Sequence, residues 1–499
     1  MNITVSQGDL TQSQADTLIV NLFDDVTMPS GATGAMNSAL GNLISDLIAQ
    51  GDLTGKAGEV GVLYPRGAIA AKRVLVMGLG KRDGFDFEGV RKAAAAAIKR
   101  ARELKATRVA TIVHGAGVAG LNAEAAAQAT AEGSLLALYR YAAPKQQAEP
   151  THDIDTLEIV EFDESKIAPI EAGLKTAVSL TAGVTLARDL VNMPPNVATP
   201  EKLAAAAKAI GEAHGLNCIV GGRKWAAKRN MGAFLAVAQG AGKKPKFIIL
   251  EHNVERTDLP TIILVGKGIT FDTGGISIKP SANMGLMKSD MGGAAAVLGA
   301  MKAVGGLNLP LRVIGITPAT ENMPDAEAYR PADVITASNG VTIEIISTDA
   351  EGRMILADAL VHAGSYKPDL VIALATLTGS AVVALGAHVA AAMFATDDGV
   401  AEQLSAAGQA TQERVWRMPL YANYRKIIDS KVADIKNSGG RTGGVGTSAM
   451  FLKQFTNYSW AHLDIAGMAL SDKPAAYAPT GATGYGVRLL VQFLQNYGK

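Results

Sequence analysis

The stretch S-T-D-A-E-G-R-M, residues 347 to 354, places a charged side chain at every second position. Asp349, Glu351 and Arg353 follow one apolar run and precede another. In an extended chain, residues two apart project to the same side, so these three groups can converge on one spot. The helical pattern that follows, M-I-L-A-D-A-L, also favours anions at its start, where backbone N–H groups are free.

A second group of charged residues lies in G-K-G-I-T-F-D-T-G-G-I-S-I-K-P, residues 266 to 280, and in the K-S-D-M-G-G that follows. It contains Lys267, Asp272, Lys279 and Asp290. An aspartate beside glycines commonly forms a turn, so each piece alone is a weak signal. Several carboxylates gathered in one place would repel one another, and bound cations would remove that cost.

The residue types leave two interpretations open, a set of ordinary turns or a metal site built from carboxylates. Oxygen ligands suit Mg²⁺ or Mn²⁺, and Zn²⁺ also accepts carboxylates. Two metals roughly 3.5–4 Å apart could share bridging carboxylates and hold a hydroxide between them. Other hydrolytic motifs are missing, because the chain has no H-E-x-x-H, G-x-S-x-G, S-x-x-K or P-loop sequence.

Two glycine-rich stretches need separate interpretations. H-G-A-G-V-A-G, residues 114 to 120, contains G-x-G-x-x-G, but a dinucleotide site also needs a second strand and an acid about 20 residues further on. Here the helical pattern continues to about Tyr141 and the next strand starts near Leu157, so we interpret the motif as a tight strand-to-helix turn. S-G-G-R-T-G-G-V-G-T, residues 438 to 447, is interpreted as a flexible loop near the site.

The order of apolar runs predicts an α/β protein of two domains. Residues 1–165 alternate strand and helix patterns and form a smaller N-terminal α/β domain. Residues 166–499 form a larger C-terminal α/β domain with a central mixed sheet flanked by helices, and 166–191 form a connecting helix. Three of its predicted strands end in Lys267, Asp349 and Thr376, and ligands of open α/β sheets bind at the carboxyl ends of strands.

Composition excludes several classes of protein. Apolar residues make up 48% and the net charge is +1, so the chain is globular and nothing in its charge demands nucleic acid. A single cysteine, Cys218, excludes a disulfide framework within the chain. No Lys or Arg precedes Lys56, which argues against a targeting peptide and makes a cytoplasmic location the expectation. The apolar run Leu370 to Thr396 is interpreted as a buried strand, a turn and an Ala-rich helix, and no membrane span is expected.

At this point the sequence resembles a known family. The stretch S-T-D-A-E-G-R-M is similar to the N-T-D-A-E-G-R-L signature of the cytosolic leucyl aminopeptidases, called aminopeptidase A in bacteria. Other matching blocks run in order from Arg188 to about Gly486: R-D-L-V-N-M-P-P-N, V-G-K-G-I-T-F-D-T-G-G-I-S-I-K-P, M-K-S-D-M-G-G-A-A, Y-R-P-A-D-V-I, A-L-A-T-L-T-G and W-A-H-L-D-I-A-G. The first 165 residues match only in general layout.

The resemblance implies a two-metal exopeptidase that removes N-terminal Leu and other apolar residues from peptides, and that assembles as a homohexamer. Carried over by position, one divalent cation (Zn, Mn or Mg) would be ligated by Lys267, Asp272, Asp290 and Glu351. The other would be ligated by Asp272, Asp349 and Glu351, so that Asp272 and Glu351 bridge the two. Lysine can act as a ligand only when neutral, and burial near cations lowers its pKa.

The resemblance also assigns catalytic and substrate-binding residues. Lys279 would polarise the scissile carbonyl, and Arg353 would hold a bicarbonate ion as general base, with Leu377 against the anion through its backbone. The pocket for the N-terminal side chain would be lined by Met287, Thr376, Gly379, Ala466 and Met468 or Ala469.

Two positions depart from the family pattern. Ser347 stands where the family usually has Asn, which puts the leaving-group preference in doubt, and Met354 replaces Leu, a volume-conserving change. Two alternatives stay open beside the peptidase. DNA binding as an architectural or regulatory role occurs in some bacterial members but has no support from the net charge. A dinuclear phosphatase would also use clustered carboxylates as metal ligands, but it would not explain the ordered motif blocks.

Overall fold

The computed structural model describes residues 1–116, 119–146 and 152–498. Gly117 and Val118 of the G-x-G-x-x-G stretch lie outside the described residues. The chain divides into two compact units, Met1–Thr181 with Pro474–Pro479, and Ala182–Lys473 with Thr480–Lys499. The division falls inside the helix Ile167–Asn192, and the sequence predicted a helix here.

The described part of the first unit contains a six-stranded sheet in the order β1-β6-β5-β2-β4-β3. All neighbours are parallel except the β3–β4 pair. The strands are β1 Asn2–Gln7, β2 Thr17–Phe23, β3 Val60–Leu63, β4 Arg73–Gly80, β5 Arg108–Thr111 and β6 Thr156–Glu161. The helices are α1 Gly31–Ala39, α2 Leu43–Gln50, α3 Phe87–Glu103, α4 Ala123–Ala137 and the start of α5 Ile167–Asn192.

Helices cover both faces of this sheet, as the burial of β2 requires. All seven residues of β2 are buried, which is typical of a parallel strand packed on two sides. Leu18 and Val20 pack with Met36 of α1 and Ile44 of α2. Ile19 on the opposite face packs in a core that includes residues of α3.

The second unit is built on a nine-stranded mixed sheet in the order β16-β15-β18-β14-β9-β11-β8-β7, with β10 paired to β11. Its strands are β7 Asn217–Gly221, β8 Lys246–His252, β9 Thr261–Gly266, β10 Gly268–Asp272, β11 Arg312–Asn322, β14 Leu370–Ala375, β15 Ala391–Ala395, β16 Val415–Arg417 and β18 Trp460–Asp464. Small sheets are formed by β12 Val334–Thr336, β13 Thr342–Glu344 and β17 Ile435–Lys436, and by β19 Leu470–Ser471 with β20 Gly481–Ala482.

Helices flank the central sheet of this unit, as the sequence predicted. They are α6 Pro200–His214, α7 Arg223–Ala227, α8 Gly232–Val237, α9 Gly292–Leu307, α10 Glu351–Gly364, α11 Gly379–Leu385, α12 Asp398–Thr411, α13 Asn423–Ile427, α14 Gly444–Lys453 and α15 Val487–Asn496. Short 3-10 turns at Met284–Ser289 and Thr348–Ala350 precede α9 and α10.

Two local predictions were wrong. The segment V-T-I-E-I-I-S-T contributes only β13, which belongs to a three-stranded sheet outside the central one, so Asp349 does not end a central strand. The alternating triplet is not extended either, because a 3-10 turn holds Asp349 and α10 begins at Glu351. The charged groups are therefore positioned by the start of a helix.

The apolar run from Leu370 to Thr396 is buried strand β14, then α11, then strand β15. The predicted Ala-rich helix is shorter than expected, because the alanine-rich end of the segment forms strand β15, which pairs with β18. Among the described residues, no helix combines the length and apolar character that crossing a bilayer requires.

The first unit contains a buried histidine, His114. Nδ1 of His114 lies 3.1 Å from the side-chain nitrogen of Asn21, and Nε2 lies 3.2 Å from the hydroxyl of Thr111, which itself donates to the Ile19 carbonyl. Asn21 can only donate through this nitrogen, so the neutral ring carries its proton on Nε2. Burial lowers the pKa of His114 to about 4.

We therefore expect the free energy of unfolding to fall as the pH falls through the window from about 6.5 to about 4, because the unfolded state takes up the proton first. The contribution of His114 is on the order of 3 kcal/mol. The measurement is the urea midpoint of the full chain at about pH 7.5 and about pH 5. His114→Gln should reduce the difference between the two midpoints, whereas His152→Gln, at a partly exposed position in the same unit, should not. An equal acid response in both variants would contradict the argument.

Candidate active site

A cavity of about 490 Å³ in the second unit collects nearly all the predicted site residues. The predicted residues that line it are Lys267, Asp272, Lys279, Met287, Asp290, Asp349, Glu351, Arg353, Thr376, Leu377, Gly379 and Ala466. Met468 is not among the lining residues; it is buried, and its carbonyl accepts a 2.7 Å hydrogen bond from the Thr483 hydroxyl. Ser438, Gly440, Gly444 and Thr447 of the predicted glycine-rich loop also line the cavity, although α14 already begins at Gly444.

Two parallel neighbouring strands bring Lys267 to the cavity. Lys267 follows β9 and Thr376 follows β14, and Gly266 is paired with Leu374 across these strands. The ammonium of Lys267 donates to the Thr376 carbonyl at 2.9 Å. The start of helix α9 packs closely against this strand end. A Cβ on Gly266 would lie 2.4 Å from the Gly293 carbonyl oxygen. A residue without a side chain is therefore needed at 266 for the strand end to meet the helix start.

Three buried carboxylates meet at this point. Asp272 ends β10, Asp290 precedes α9 and Glu351 opens α10, and they offer ligand oxygens that all lie within 4.8 Å of one another. The ammonium of Lys267 lies 2.7 Å from Asp290 and 2.9 Å from Glu351. Within the described residues, Oε2 of Glu351 is buried without a hydrogen-bond partner.

Asp349 lies outside this cluster of three carboxylates. Its side chain is 40% exposed, and it reaches the others through Lys279, whose ammonium lies 2.5 Å from Asp349 and 2.8 Å from Asp272. The side chain of Lys279 is 22% exposed, so it borders the open cavity while remaining paired. The structure thus brings the seven predicted charged groups to one cavity, with Asp349 at its more open side.

Burial and mutual repulsion shift the protonation of the carboxylates. Burial, reinforced by the charge of Glu351, raises the pKa of Asp272 to about 6. Burial also holds the pKa of Asp290 well above its usual range. For Glu351, burial acts to raise the pKa, but the ammonium groups of Lys267 and Lys279 together bring it below the ordinary value. Such perturbed groups gathered in one cavity are typical of functional sites.

The same ion pairs raise the pKa values of the two lysines. Burial would lower the pKa of Lys267, but Asp290 and Glu351 raise it above the ordinary lysine value. The pKa of Lys279 is raised in the same way, chiefly by Asp272 against the effect of burial. The carboxylates around Lys267 stabilise its ammonium form, and a bound cation would oppose this effect and favour the neutral form that a metal ligand requires.

Arg353 lines the same cavity. Its Nη1 donates to the Asn437 carbonyl at 2.6 Å, whereas its buried Nε has no hydrogen-bond partner among the described residues. Burial lowers the pKa of Arg353 to about 10. Leu377 lines the cavity nearby, and its backbone N–H donates to Oδ1 of Asp464 at 3.1 Å.

Three residues that support the site were missed as site residues in the sequence. Asn322, at the end of β11, donates to Oδ1 of Asp272 at 2.8 Å and to the Thr348 carbonyl at 3.0 Å. Asn437 donates to the Ser347 carbonyl at 2.7 Å and accepts from the N–H of Ile346. The third is Asp464, within the matched block W-A-H-L-D-I-A-G. No local pattern marks Asn322 or Asn437, because their partners are far away in sequence.

Comparison with known proteins decides the family. The model of the cytosol aminopeptidase family catalytic domain matches residues 185–491, and that of the family's N-terminal domain matches residues 19–148. The chain belongs to the cytosol aminopeptidase family. The probable cytosol aminopeptidase of Roseiflexus castenholzii is 45% identical over 100% of this chain and 99% of the relative. That of Syntrophotalea carbinolica is 42% identical over 99% of this chain and 100% of the relative.

Solved structures show the same architecture as this cytosol aminopeptidase family member. A mutant of the tomato leucine aminopeptidase matches with a TM-score of 0.86 and 35% identity, covering 99% of this chain and 96% of the tomato chain. The bottromycin maturation enzyme BotP in complex with Mn matches with a TM-score of 0.84 and 35% identity, covering 97% and 100% of the two chains. The two-domain α/β prediction and the peptidase assignment are confirmed.

The donor set of this aminopeptidase fits divalent cations. Three carboxylates converge within 4.8 Å, and the buried Oε2 of Glu351 lacks a hydrogen bond within the described residues. Oxygen ligands of this kind suit Mg²⁺, Mn²⁺ and Zn²⁺. A buried anionic oxygen without a donor is costly, and a cation would remove that cost.

Because Asn322 orients Asp272 and the Thr348 carbonyl together, we expect Asn322→Ala to weaken binding of Mn²⁺ by about 10–100-fold. Titration calorimetry of the full chain with Mn²⁺ measures the effect. Asn457→Ala, at an exposed position of the same unit, is the matched control and should bind Mn²⁺ unchanged. Equal affinities of the two variants would show that Asn322 does not position the ligand.

Proposed function

We propose that this metallo-aminopeptidase removes N-terminal residues from peptides, with a preference for Leu and other apolar side chains. The observation that carries the proposal is the convergence of Asp272, Asp290 and Glu351 with Lys267 in one buried cluster. Met287 and Ala466 contribute apolar surface to the lining of the same cavity.

We propose two divalent cations, with Zn, Mn or Mg as the metal. One would be held by Lys267, Asp272, Asp290 and Glu351, and the other by Asp272, Asp349 and Glu351. The support is the donor chemistry of the cluster and the position of Asp349 at its open side. When bound, such cations supply hydroxide at neutral pH and polarise the scissile carbonyl.

Lys279 is proposed to stabilise the charge that develops on the carbonyl oxygen. Its ammonium is fixed by Asp272 and Asp349 and still borders the cavity. Because both carboxylates raise its pKa, Lys279 stays protonated at neutral pH and can donate to an oxygen that becomes negative. Preorganised donors of this kind require little rearrangement during the reaction.

Arg353 is proposed to bind bicarbonate, which would supply a general base. The support is the buried Nε without a partner among the described residues and the planar geometry of the guanidinium. Leu377 is proposed to lie against the same anion, although its N–H already donates to Asp464. Asn437, which accepts from Arg353, holds the guanidinium in the orientation that leaves Nε free.

The substrate side chain is proposed to lie against Met287, Thr376, Gly379 and Ala466, all of which line the cavity. Met287 is unbranched and adapts to apolar groups of different shape. Met468 lies outside this lining, so its predicted contact has no support.

Ser347, on the leaving side of the proposed substrate, accepts a hydrogen bond from the Asp349 N–H at 3.2 Å.

A homohexamer is proposed on the family resemblance alone, and sedimentation velocity tests it. DNA binding gains no support from the comparisons.

Removal of the metals should abolish hydrolysis of leucine p-nitroanilide, and Mn²⁺ or Zn²⁺ should restore it.

Glu351→Gln keeps the side-chain volume but removes a charge shared by both proposed metals, so kcat/KM should fall by more than about 10²-fold. Glu402→Gln, exposed on α12, is the matched control. Full activity of a folded Glu351→Gln variant, judged by circular dichroism, would rule out the proposed site.

Narrowing the pocket should change specificity. Ala466→Phe should lower kcat/KM for a leucyl substrate relative to an alanyl one by about 10–200-fold, because the larger side chain loses its space. Ala406→Phe, exposed on α12, should leave the ratio unchanged. An unchanged ratio in Ala466→Phe would place the pocket elsewhere.

A further inference from the structure

A second cavity lies wholly in the first unit, at the carboxyl ends of its parallel strands. Its volume is about 470 Å³, within the ~300–1,000 Å³ typical of small-molecule sites. Its walls come from the ends of β1, β2, β5 and β6 and from the start of α1, and are represented by Gly8, Asn21, Ile112, Val160 and Gly31.

The cavity lies beside two neighbouring strands whose following segments pack on opposite faces of the sheet. After β2 the chain passes to α1 and α2, which pack on the face of Leu18 and Val20. After β5 it passes to α4, which packs with Val113 and Ile159 toward the opposite face. Neighbouring strands β2 and β5 therefore send their following segments to opposite faces. The crevice between such strands is where open α/β sheets bind ligands.

One end of the cavity presents unused hydrogen-bond donors. The helix α1 starts at Gly31, and Ser30 at its N-cap makes no side-chain capping bond. Gly31, Ala32 and Thr33, the first three residues of α1, all line the cavity. N–H groups in the first turn of a helix have no partner within it, and together with the helix dipole they favour a phosphate group.

A buried polar side chain, Asn21, lies beside this helix start. Asn21 lines the cavity and is 8% exposed. Its side-chain nitrogen contacts Nδ1 of His114, which orients the amide. Because His114 uses the nitrogen, the amide oxygen is the group of Asn21 that can accept a hydrogen bond from a ligand.

The remaining lining combines apolar surface with charges of both signs. Leu10, Ile112 and Val160 provide apolar walls, and Phe162, 81% exposed, can stack on a planar ring. Lys166 adds a cation whose exposed pair with Asp163, at 3.5 Å, binds it only weakly.

Two carboxylates also line the cavity, Asp9 and Glu161. Asp9 accepts from Thr11, and Glu161 accepts from the N–H of Asp163. They would repel a phosphate placed beside them but can accept from sugar hydroxyls, as an acid at a strand end does in nucleotide sites.

We propose that this cavity binds a nucleoside monophosphate or an organic phosphate of the same build. The phosphate would lie at the start of α1 with Lys166, the planar body against the apolar wall and Phe162, and the hydroxyls toward Glu161. This site differs from a dinucleotide site, for which the sequence lacks a second strand at the required distance. It is separate from the proposed peptidase chemistry, since every lining residue belongs to the first unit.

Titration calorimetry of the full chain with AMP, GMP, CMP and UMP tests the proposal. At least one nucleotide should bind saturably, and its nucleoside should bind about tenfold or more weakly, because it lacks the charge. Inorganic phosphate alone should bind more weakly still, because it lacks the planar body. Binding should persist in the presence of a chelator, which separates it from phosphate held by metals of the peptidase site.

Two pairs of variants locate the binding. Ala35→Trp fills the cavity and Lys166→Glu reverses its cation, and each should weaken binding about tenfold or more. Ser38→Trp on the same helix and Lys175→Glu on α5 are matched changes at exposed positions outside the lining and should bind normally. Unchanged leucine anilide hydrolysis and thermal midpoint show that the variants fold. Absence of binding by all four nucleotides, or binding unaffected by both cavity variants, would overturn the proposal.

Discussion

The electrostatic balance around Lys267 and Glu351 is the constraint on which the second unit depends. Three carboxylates are buried within 4.8 Å of one another, and burial of like charges is costly unless opposite charges lie among them. The ammonium groups of Lys267 and Lys279 provide that compensation in the structure. The same arrangement is suited to cations, since it combines converging oxygens with an anionic atom that lacks a donor.

This balance requires a backbone that brings distant segments together. The parallel pairing of β9 with β14 places Lys267 beside Thr376, and the pairing of β10 with β11 places Asp272 beside Asn322. Glu351 enters from the first residue of α10, which explains why it is buried while Asp349 in the preceding turn stays half-exposed. Lys267, Asp272, Asp290 and Glu351 are therefore held at the ends of strands and helices, as preorganised chemistry requires.

The two units use the carboxyl ends of parallel strands in different ways. In the second unit these ends carry charged side chains, and the resulting cavity is polar and crowded with ion pairs. In the first unit they carry glycine, apolar and polar residues, including Asn21 and Glu161, beside an uncapped helix start. The fold supplies the position of a site in both cases, and the residues at the strand ends decide its chemistry.

The sequence by itself determined the α/β class, the helices α3 and α4, and the charged residues of the site, because apolar periodicity and the ordered motif blocks are local properties. It did not determine that a turn and a helix start hold Asp349, Glu351 and Arg353, because the strand within V-T-I-E-I-I-S-T ends at Glu344 in a small separate sheet. Only the tertiary structure decided that Asn322 and Asn437 support the site and that Met468 lies outside its lining. These outcomes depend on contacts between segments far apart in the chain, which no local pattern records.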